Sequence, residues 1–213
     1  NTQLYSVPGE SLNGGDSDGN GYVDDVNGYN LVNDDTDLTT GGNDHGTQMA
    51  GTMLARADNS VGIAGVAPKA QLLTVKVASG SQVTHGYEGM IYAADNGADI
   101  LNCSWVMPFY SKKGEDAVNY ALSKGCIIVA AAGNDGKFKM NYPAGFEGVL
   151  SVSGSDNLDQ RMTNSNREFR LDIAAPGLAI YTTKNNDNYD FNSGTSLSTA
   201  NMSGIVALLK AQF

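Results

Sequence analysis

Three short motifs carry side chains that are suited to nucleophilic catalysis. His45 lies in the motif NDHGTQMAGT, Asn134 in AAGNDG, and Ser196 in SGTSLSTA. A serine hydroxyl becomes a nucleophile when a neighbouring base takes its proton, and acyl transfer also needs a donor for the developing oxyanion. Histidine, asparagine and serine could supply these roles. Each motif alone is weak evidence, because such residues more often serve as surface, turn or helix-capping residues.

The elements that would position these motifs alternate between strands and helices. Short apolar runs predict strands at 71–77, 99–105, 126–132, 149–154 and 171–174. Helical spacing of apolar residues predicts helices at 87–96, 115–123 and 198–212. Residues 1–44 are rich in Gly, Asn and Asp and are expected to form loops. The alternation is typical of a parallel sheet that is buried on both faces, and no linker divides the chain.

The composition excludes several classes of protein. The chain has 13 basic and 23 acidic residues, and its net charge of −10 disfavours nucleic-acid binding, which needs a basic surface. No apolar run reaches the length of about 18 residues that a membrane-spanning helix needs. The charge is uneven, because nine acidic residues and no Lys or Arg precede Arg56. These carboxylates must be solvated or held by cations.

The three motifs, in this order, resemble those of the subtilisin-like serine proteases (subtilases). Similar stretches occur in GIAGVAP (62–68), NCSW (102–105), YPA (142–144) and AAPG (174–177). The resemblance covers nearly the whole chain. It implies a three-layer α/β fold with a mostly parallel, twisted sheet and helices on both faces. It also implies a secreted, monomeric serine endopeptidase that acts on protein or peptide substrates, and it leaves open whether a propeptide exists.

The resemblance assigns a role to each matching residue. Ser196 matches the nucleophile that forms the acyl-enzyme, and His45 matches the general base. Asn134 matches the side-chain donor of the oxyanion hole, aided by the backbone N–H of Ser196. The positions that match the substrate-binding segments are Ser104, Trp105, Val106 and Gly133. Because the family usually has glycine where Val106 stands, a narrowed or a degenerate specificity pocket is expected.

The catalytic aspartate of the family has no matching residue in this sequence. In the family it lies on an early strand, and residues 1–10 resemble the stretch just beyond that strand. We therefore expect residues 1–213 to be a single peptidase domain without the aspartate strand and the C-terminal end. Such a chain should be nearly inactive, since losing the aspartate costs subtilisin about 3 × 10⁴ in kcat. Four acidic residues are less favoured candidates to replace the catalytic aspartate: Asp34, Asp35, Asp37 and Asp44.

The loop 16–25 has the spacing of an EF-hand-type calcium loop. Oxygen-bearing side chains stand at its first, third, fifth and ninth positions, and glycine stands at the sixth. The candidate ligands of a structural Ca²⁺ are Asp16, Asp18, Asn20, the Tyr22 carbonyl, Asp24 and Asp25. Asn27 replaces the usual bidentate glutamate, so one of the last two acids would close the shell. The alternative is a solvated loop, and a second calcium candidate lies at 57–63.

Two rival functions remain open at this point. The chain could be a catalytically inactive pseudoprotease that binds peptides, or a calcium-binding adhesion or structural module. A binding module has no need of all three motifs around His45, Asn134 and Ser196, so their presence favours the enzyme.

The two cysteines are expected to stay reduced. Cys103 and Cys126 lie on apolar strands that are predicted to be parallel neighbours, with Ser104 level with Asn134. That register separates the cysteines by about seven residues, or about 20 Å along the sheet. A disulfide needs Cα atoms within about 7 Å. Distance therefore excludes the bond whatever the redox environment.

Overall fold

The computed structural model describes residues 3–39, 41–168 and 170–213, which form four α-helices and ten β-strands. The helices are α1 (His45–Leu54), α2 (Gly86–Asp95), α3 (Lys112–Ser123) and α4 (Thr195–Gln212). The strands are β1 (Gly28–Asn30), β2 (Thr74–Lys76), β3 (Ala78–Ser79), β4 (Gln82–Val83), β5 (Ile100–Cys103), β6 (Ile127–Ala131), β7 (Val149–Ser155), β8 (Ile173–Pro176), β9 (Ile180–Lys184) and β10 (Asn188–Asn192).

The centre of the fold is a four-stranded parallel sheet in the order β5-β6-β7-β8. Parallel neighbours need a crossover connection, and α3 provides it between β5 and β6. The α4 helix packs on one face of the sheet, whereas α2 and α3 pack together on the other. This arrangement confirms the predicted α/β fold with helices on both faces of a parallel sheet.

Alternating side chains of β6 show how the sheet is buried on both faces. Ile128 and Ala130 pack with Val118 of α3, and Val129 between them packs with Met202 and Val206 of α4. The three β6 side chains are each 0% exposed. An uninterrupted apolar run such as CIIVAAA is therefore what this central strand requires.

The N-terminal part contains a short strand that the sequence analysis missed. Residues 1–44 were expected to form loops only, but β1 pairs in parallel with β2 through Gly28 and Thr74. Gly28 has a φ of 124°, and a Cβ there would lie 1.8 Å from the Thr74 carbonyl oxygen. The strand is only three residues long and includes glycine, so it lacks the alternating pattern that predicts a strand.

The antiparallel hairpin of β9 and β10 was also missed, because its residues are mostly polar and exposed. Within the part of the chain that the structure describes, no helix has the length and apolar character to cross a membrane.

The predicted register of β5 against β6 is wrong by three residues. Cys103 pairs with Ala130, which places Cys103 four residues along the sheet from Cys126, or about 13 Å. The error arose because the polar residues after β6 begin beyond the strand end, so Asn134 is not level with Ser104. The offset still exceeds the reach of a disulfide, and both cysteines are free and buried.

We predict that both thiols react with a thiol reagent only after unfolding. Burial raises the pKa of the Cys103 thiol to about 12, and burial also raises that of Cys126. A buried, protonated thiol is a poor nucleophile. Titration without reductant should count no reactive thiol in the native protein and both thiols in denaturant. A Cys103–Cys126 disulfide found by mass spectrometry would contradict the observed register.

Candidate active site

The three motifs lie at the ends of helices and strands, where some backbone N–H and C=O groups make no hydrogen bonds within the helix or sheet. Ser104 directly follows β5, and Asn134 lies three residues beyond the end of β6. His45 is the first residue of α1, and Ser196 is the second residue of α4. In α/β proteins, ligands bind beyond the carboxyl ends of parallel strands, which is where Ser104 and Asn134 stand.

The start of α4 holds Ser196 against the end of β5. The Ser196 hydroxyl donates to the Ser104 carbonyl at 3.1 Å, and the Ser104 hydroxyl donates to the Ser196 carbonyl at 2.9 Å. The preceding Gly194 has φ 156° and ψ 161°, a conformation that favours glycine. Two hydrogen bonds thus hold Ser196, near the start of α4, against the end of β5.

The amide of Asn134 has a fixed orientation. Its Oδ1 accepts hydrogen bonds from the Thr195 backbone N–H at 2.9 Å and from the Thr195 hydroxyl at 3.0 Å. The Thr195 Oγ1 in turn accepts from the Gly133 N–H at 3.2 Å. With its oxygen committed, Asn134 presents the Nδ2 donor beside Gly194, whose Cβ would lie 3.4 Å from that nitrogen.

Thr195 is a functional residue that the sequence analysis missed. It is 0% exposed, and it connects the asparagine loop with the serine helix. Its position next to Ser196 was a usable signal, but its contact with Asn134 spans 61 residues of sequence and follows no local pattern.

His45 stands at the start of a helix that packs against the serine helix. Met49 and Met53 of α1 form one buried cluster with Leu197 and Ala200 of α4. Desolvation lowers the pKa of the His45 imidazole below its ordinary value, which favours the neutral base. This packing sets α1 against the first turns of α4, and the Ser196 hydroxyl donates to the Ser104 carbonyl rather than to the imidazole.

Within the described residues, no carboxylate forms a hydrogen bond with the His45 ring. Asp44 accepts from the Asn185 N–H at 3.2 Å and lies 3.9 Å from the Lys184 ammonium. The other three candidate substitutes are engaged elsewhere: Asp34 with the Tyr29 hydroxyl, Asp35 with the Asn30 amide, and Asp37 with the Thr39 N–H. The orienting group of the family's catalytic histidine is therefore absent from the described residues.

The predicted substrate-binding residues lie on the two strand ends. Trp105 packs edge-on against Tyr87 with ring centroids 5.6 Å apart, and the Val106 side chain is 37% exposed. Gly133 has a φ of 103°, and a Cβ there would lie 2.3 Å from the Asn141 amide nitrogen. Glycine is thus required at 133, whereas the Val106 side chain is partly exposed to solvent.

Three acidic side chains, two from the acidic loop and one that precedes it, form a carboxylate cluster. This cluster differs from the predicted set of calcium ligands. Glu10, Asp18 and Asp25 each offer an oxygen within 4.8 Å of the others. Asp25 is 0% exposed and accepts from the Tyr92 hydroxyl at 2.6 Å. Its Oδ1 and the Oε1 of Glu10 are buried without a partner among the described residues. Glu10 was missed because it precedes the loop motif.

The remaining predicted ligands serve the loop itself. Asp16 accepts three backbone N–H bonds from residues 19–21, and Asp24 accepts from the N–H groups of Asn13 and Gly14. The Asn20 amide donates to Asp18 and Asp25 at 3.0 and 3.1 Å. Tyr22 packs its ring against Tyr92, with centroids 4.9 Å apart. Asp16 and Asp24 therefore stabilise the turns of the loop and lie outside the cluster of Glu10, Asp18 and Asp25.

Comparison with known proteins gives consistent matches. The chain matches the Subtilase family (Peptidase_S8) over residues 10–213. It is 40% identical over 190 residues to thermitase of Thermoactinomyces vulgaris, covering 88% of this chain and 68% of thermitase. It is 41% identical over 175 residues to subtilisin Savinase of Lederbergia lenta, covering 81% of this chain and 65% of that protein.

A solved structure of sphericase has a TM-score of 0.75 and 32% identity, covering 80% of this chain and 64% of that chain. The chain spans 47% of another relative, a thermophilic serine proteinase of Bacillus sp. (strain AK1), to which it is 38% identical across 88% of this chain. The family match over residues 10–213 and the identity to thermitase show that this chain belongs to the subtilase family.

Proposed function

We propose that the protein is a serine endopeptidase that forms an acyl-enzyme on Ser196, with His45 as general base and Asn134 in the oxyanion hole. The single observation that carries the proposal is the orientation of the Asn134 amide. Thr195 occupies its oxygen with two hydrogen bonds, so the Nδ2 donor is left free beside Gly194, the residue that caps the start of the serine helix. A preorganised donor at a nucleophile stabilises charge that develops in the transition state.

The reaction would proceed in two displacements. His45 takes the proton of Ser196 Oγ as the oxygen attacks the peptide carbonyl carbon, which requires the hydroxyl to leave the Ser104 carbonyl. The carbonyl oxygen becomes an oxyanion that accepts from Asn134 Nδ2 and the Ser196 N–H, one of the unpaired amides of the first helical turn. His45 returns the proton to the leaving amine. Water then releases the acyl group from Ser196 by the same acid–base steps.

The orienting aspartate belongs to the same proposal and would come from a strand that precedes residue 1. The strands β2 and β5 are parallel-sheet strands that each pair on one side only among the described residues. Leu73 and Val75, at β2, pack against the same buried cluster as Leu101 of β5. The two sheet fragments therefore share a core, and a strand between them would join them into one parallel sheet. This supports a peptidase domain that extends beyond residues 1–213.

A structural Ca²⁺ is proposed at the group of Glu10, Asp18 and Asp25. Carboxylate oxygens are the ligands that Ca²⁺ prefers, and the unpartnered, buried oxygens of Glu10 and Asp25 fit a cation. Desolvation, followed by the negative charges of Asp25 and Glu10, raises the pKa of Asp18, and a bound cation would offset that repulsion. At the second candidate loop, Asn59 Oδ1 accepts from the Val61 N–H, so nothing comparable supports calcium there.

A secreted location, protein or peptide substrates, a monomeric state and maturation from a propeptide belong to the same proposal. They rest on similarity to subtilases such as thermitase.

We predict that a fluorophosphonate probe labels Ser196 in the full-length protease. Ser196→Ala should abolish labelling because the phosphonyl group bonds to the activated oxygen. Ser193→Ala is the matched control, since that exposed serine accepts from the Ala179 N–H and lies outside the site. Gel fluorescence and peptide mapping would measure both variants. Labelling that survives Ser196→Ala would contradict the nucleophile, and an unlabelled full-length protein would support the pseudoprotease.

We predict that calcium raises the melting temperature through Asp18. A ligand that binds only the folded state stabilises it by about 2.7 kcal/mol at about 100 times its Kd, or about 5–10 °C for a chain of this size. Asp18→Asn should remove most of the difference between calcium and chelator. Asp116→Asn, which removes an equally negative side chain from α3, should retain the difference. Equal responses of the two variants would place the ion elsewhere.

A further inference from the structure

We propose that Asn166 is a positioning residue that holds the oxyanion-hole loop, residues 132–135, in its catalytic conformation. The inference rests on the proposed function, because it concerns how Asn134 is presented to the oxyanion. Asn166 lies 32 residues beyond Asn134 in the segment TNSNRE, to which the resemblance to subtilases assigned no role.

Asn166 contacts the loop on both sides of Asn134. Before Asn134, its Nδ2 donates to the Ala132 carbonyl at 3.2 Å and its backbone N–H donates to the Gly133 carbonyl at 2.9 Å. After Asn134, its Oδ1 accepts from the N–H groups of Asp135 at 3.0 Å and Lys137 at 3.2 Å. One residue therefore bridges the two flanks of a segment that has no regular secondary structure.

These hydrogen bonds require an amide side chain at position 166. Asn166 is 0% exposed, so every polar atom of its side chain must find a partner in the protein. Its oxygen faces two N–H donors and its nitrogen faces a carbonyl, which fixes which atom is which. An aliphatic residue would leave two amides and a carbonyl without these partners, and an aspartate would lack the donor.

The packing behind the loop leaves little room for adjustment. Asn141 is also buried, and its Nδ2 donates to the same Ala132 carbonyl at 3.0 Å. A Cβ at Gly133 would lie 2.3 Å from the Asn141 nitrogen and 2.8 Å from the Asn166 nitrogen. The loop backbone therefore rests directly on the two amides.

The side chain of Asn134, by contrast, is exposed, and Thr195 fixes only its oxygen. The position of its backbone depends on contacts made by neighbouring residues, and Asn166 supplies those on both sides. Because an oxyanion donor must lie within a few tenths of an ångström of its target, displacement of this backbone should weaken the transition state rather than substrate binding.

The test is a double-mutant cycle in the full-length protease, with kcat and KM measured on a peptide substrate. Asn134→Ala should lower kcat by about 10²–10³, as the equivalent change does in subtilisin. Asn166→Ala should lower kcat by about 10–100-fold with KM unchanged. The kcat of the double variant should be no lower than that of Asn134→Ala alone, because Asn166 acts only through Asn134.

Two further variants keep the test decisive if Asn166→Ala folds poorly. Asn166→Asp keeps the acceptor but places a carboxylate against the Ala132 carbonyl. Its kcat relative to wild type should fall at neutral pH and recover as the pH falls, because the protonated acid donates again. Ser165→Ala is the matched control, since that buried hydroxyl bonds to Ser153 and Gly154 and touches only the backbone carbonyl of Asn166, at 3.4 Å, so its loss leaves the side-chain amide contacts in place and should leave kcat unchanged.

The outcomes separate the two proposals. If Asn134→Ala leaves kcat unchanged, the proposed oxyanion hole itself fails. If Asn134→Ala lowers kcat but the Asn166 loss is fully additive, or Asn166→Asp shows wild-type kcat at every pH, the proposed role of Asn166 is overturned and the oxyanion hole stands.

Discussion

The hydrogen bonds between Thr195 and Asn134 are the interaction on which the site depends. They join the loop after β6 to the first turn of α4. Because the Asn134 oxygen accepts two hydrogen bonds from Thr195, the orientation of the amide is fixed and so is the direction of its nitrogen. The same contact positions Ser196, the proposed nucleophile, since Ser196 follows Thr195 directly and its carbonyl accepts from the Ser104 hydroxyl.

The rest of the fold makes that contact rigid. The α4 helix lies on the parallel sheet through Met202 and Val206, and it lies against α1 through Leu197 and Ala200. Small residues allow the close approach at its start, since a Cβ at Gly177 would lie 2.1 Å from the Ser198 hydroxyl oxygen. A well-packed interior transmits displacement, so the helix start, the strand ends and the histidine helix behave as one framework. Preorganisation of this kind is what an oxyanion hole needs.

Much of this framework could be predicted from sequence, because it depends on local patterns. The apolar run of β6 and the spacing in α2, α3 and α4 are strong periodic signals, and the structure contains each element within a few residues of its predicted bounds. The short β1 strand and the polar hairpin of β9 and β10 carry no such signal. The β1 strand pairs with β2, which lies far along the chain, and β9 and β10 pair with each other through mostly polar residues, so all three strands were missed.

Long-range contacts explain what the sequence could not provide. The register of β5 against β6 depends on where the strands end, and two small residues, Ala132 and Gly133, extend the chain beyond β6 before Asn134. Glu10 joins Asp18 and Asp25 across a folded loop, and Asn166 reaches back to the oxyanion loop. None of these pairs follows a helix or strand period, so only the folded chain shows them.

We propose that Asn134 and Ser196 together receive an oxyanion, and a structure of the full-length protease with a bound peptide boronic acid would test this directly. Boron should bond to Ser196 Oγ, and one boronate oxygen should lie about 2.7–3.1 Å from both Asn134 Nδ2 and the Ser196 backbone nitrogen. The Thr195 bonds to Asn134 Oδ1 should remain in place. A boronate whose oxygens all point to solvent or to His45, with Asn134 turned away from the adduct, would contradict the account.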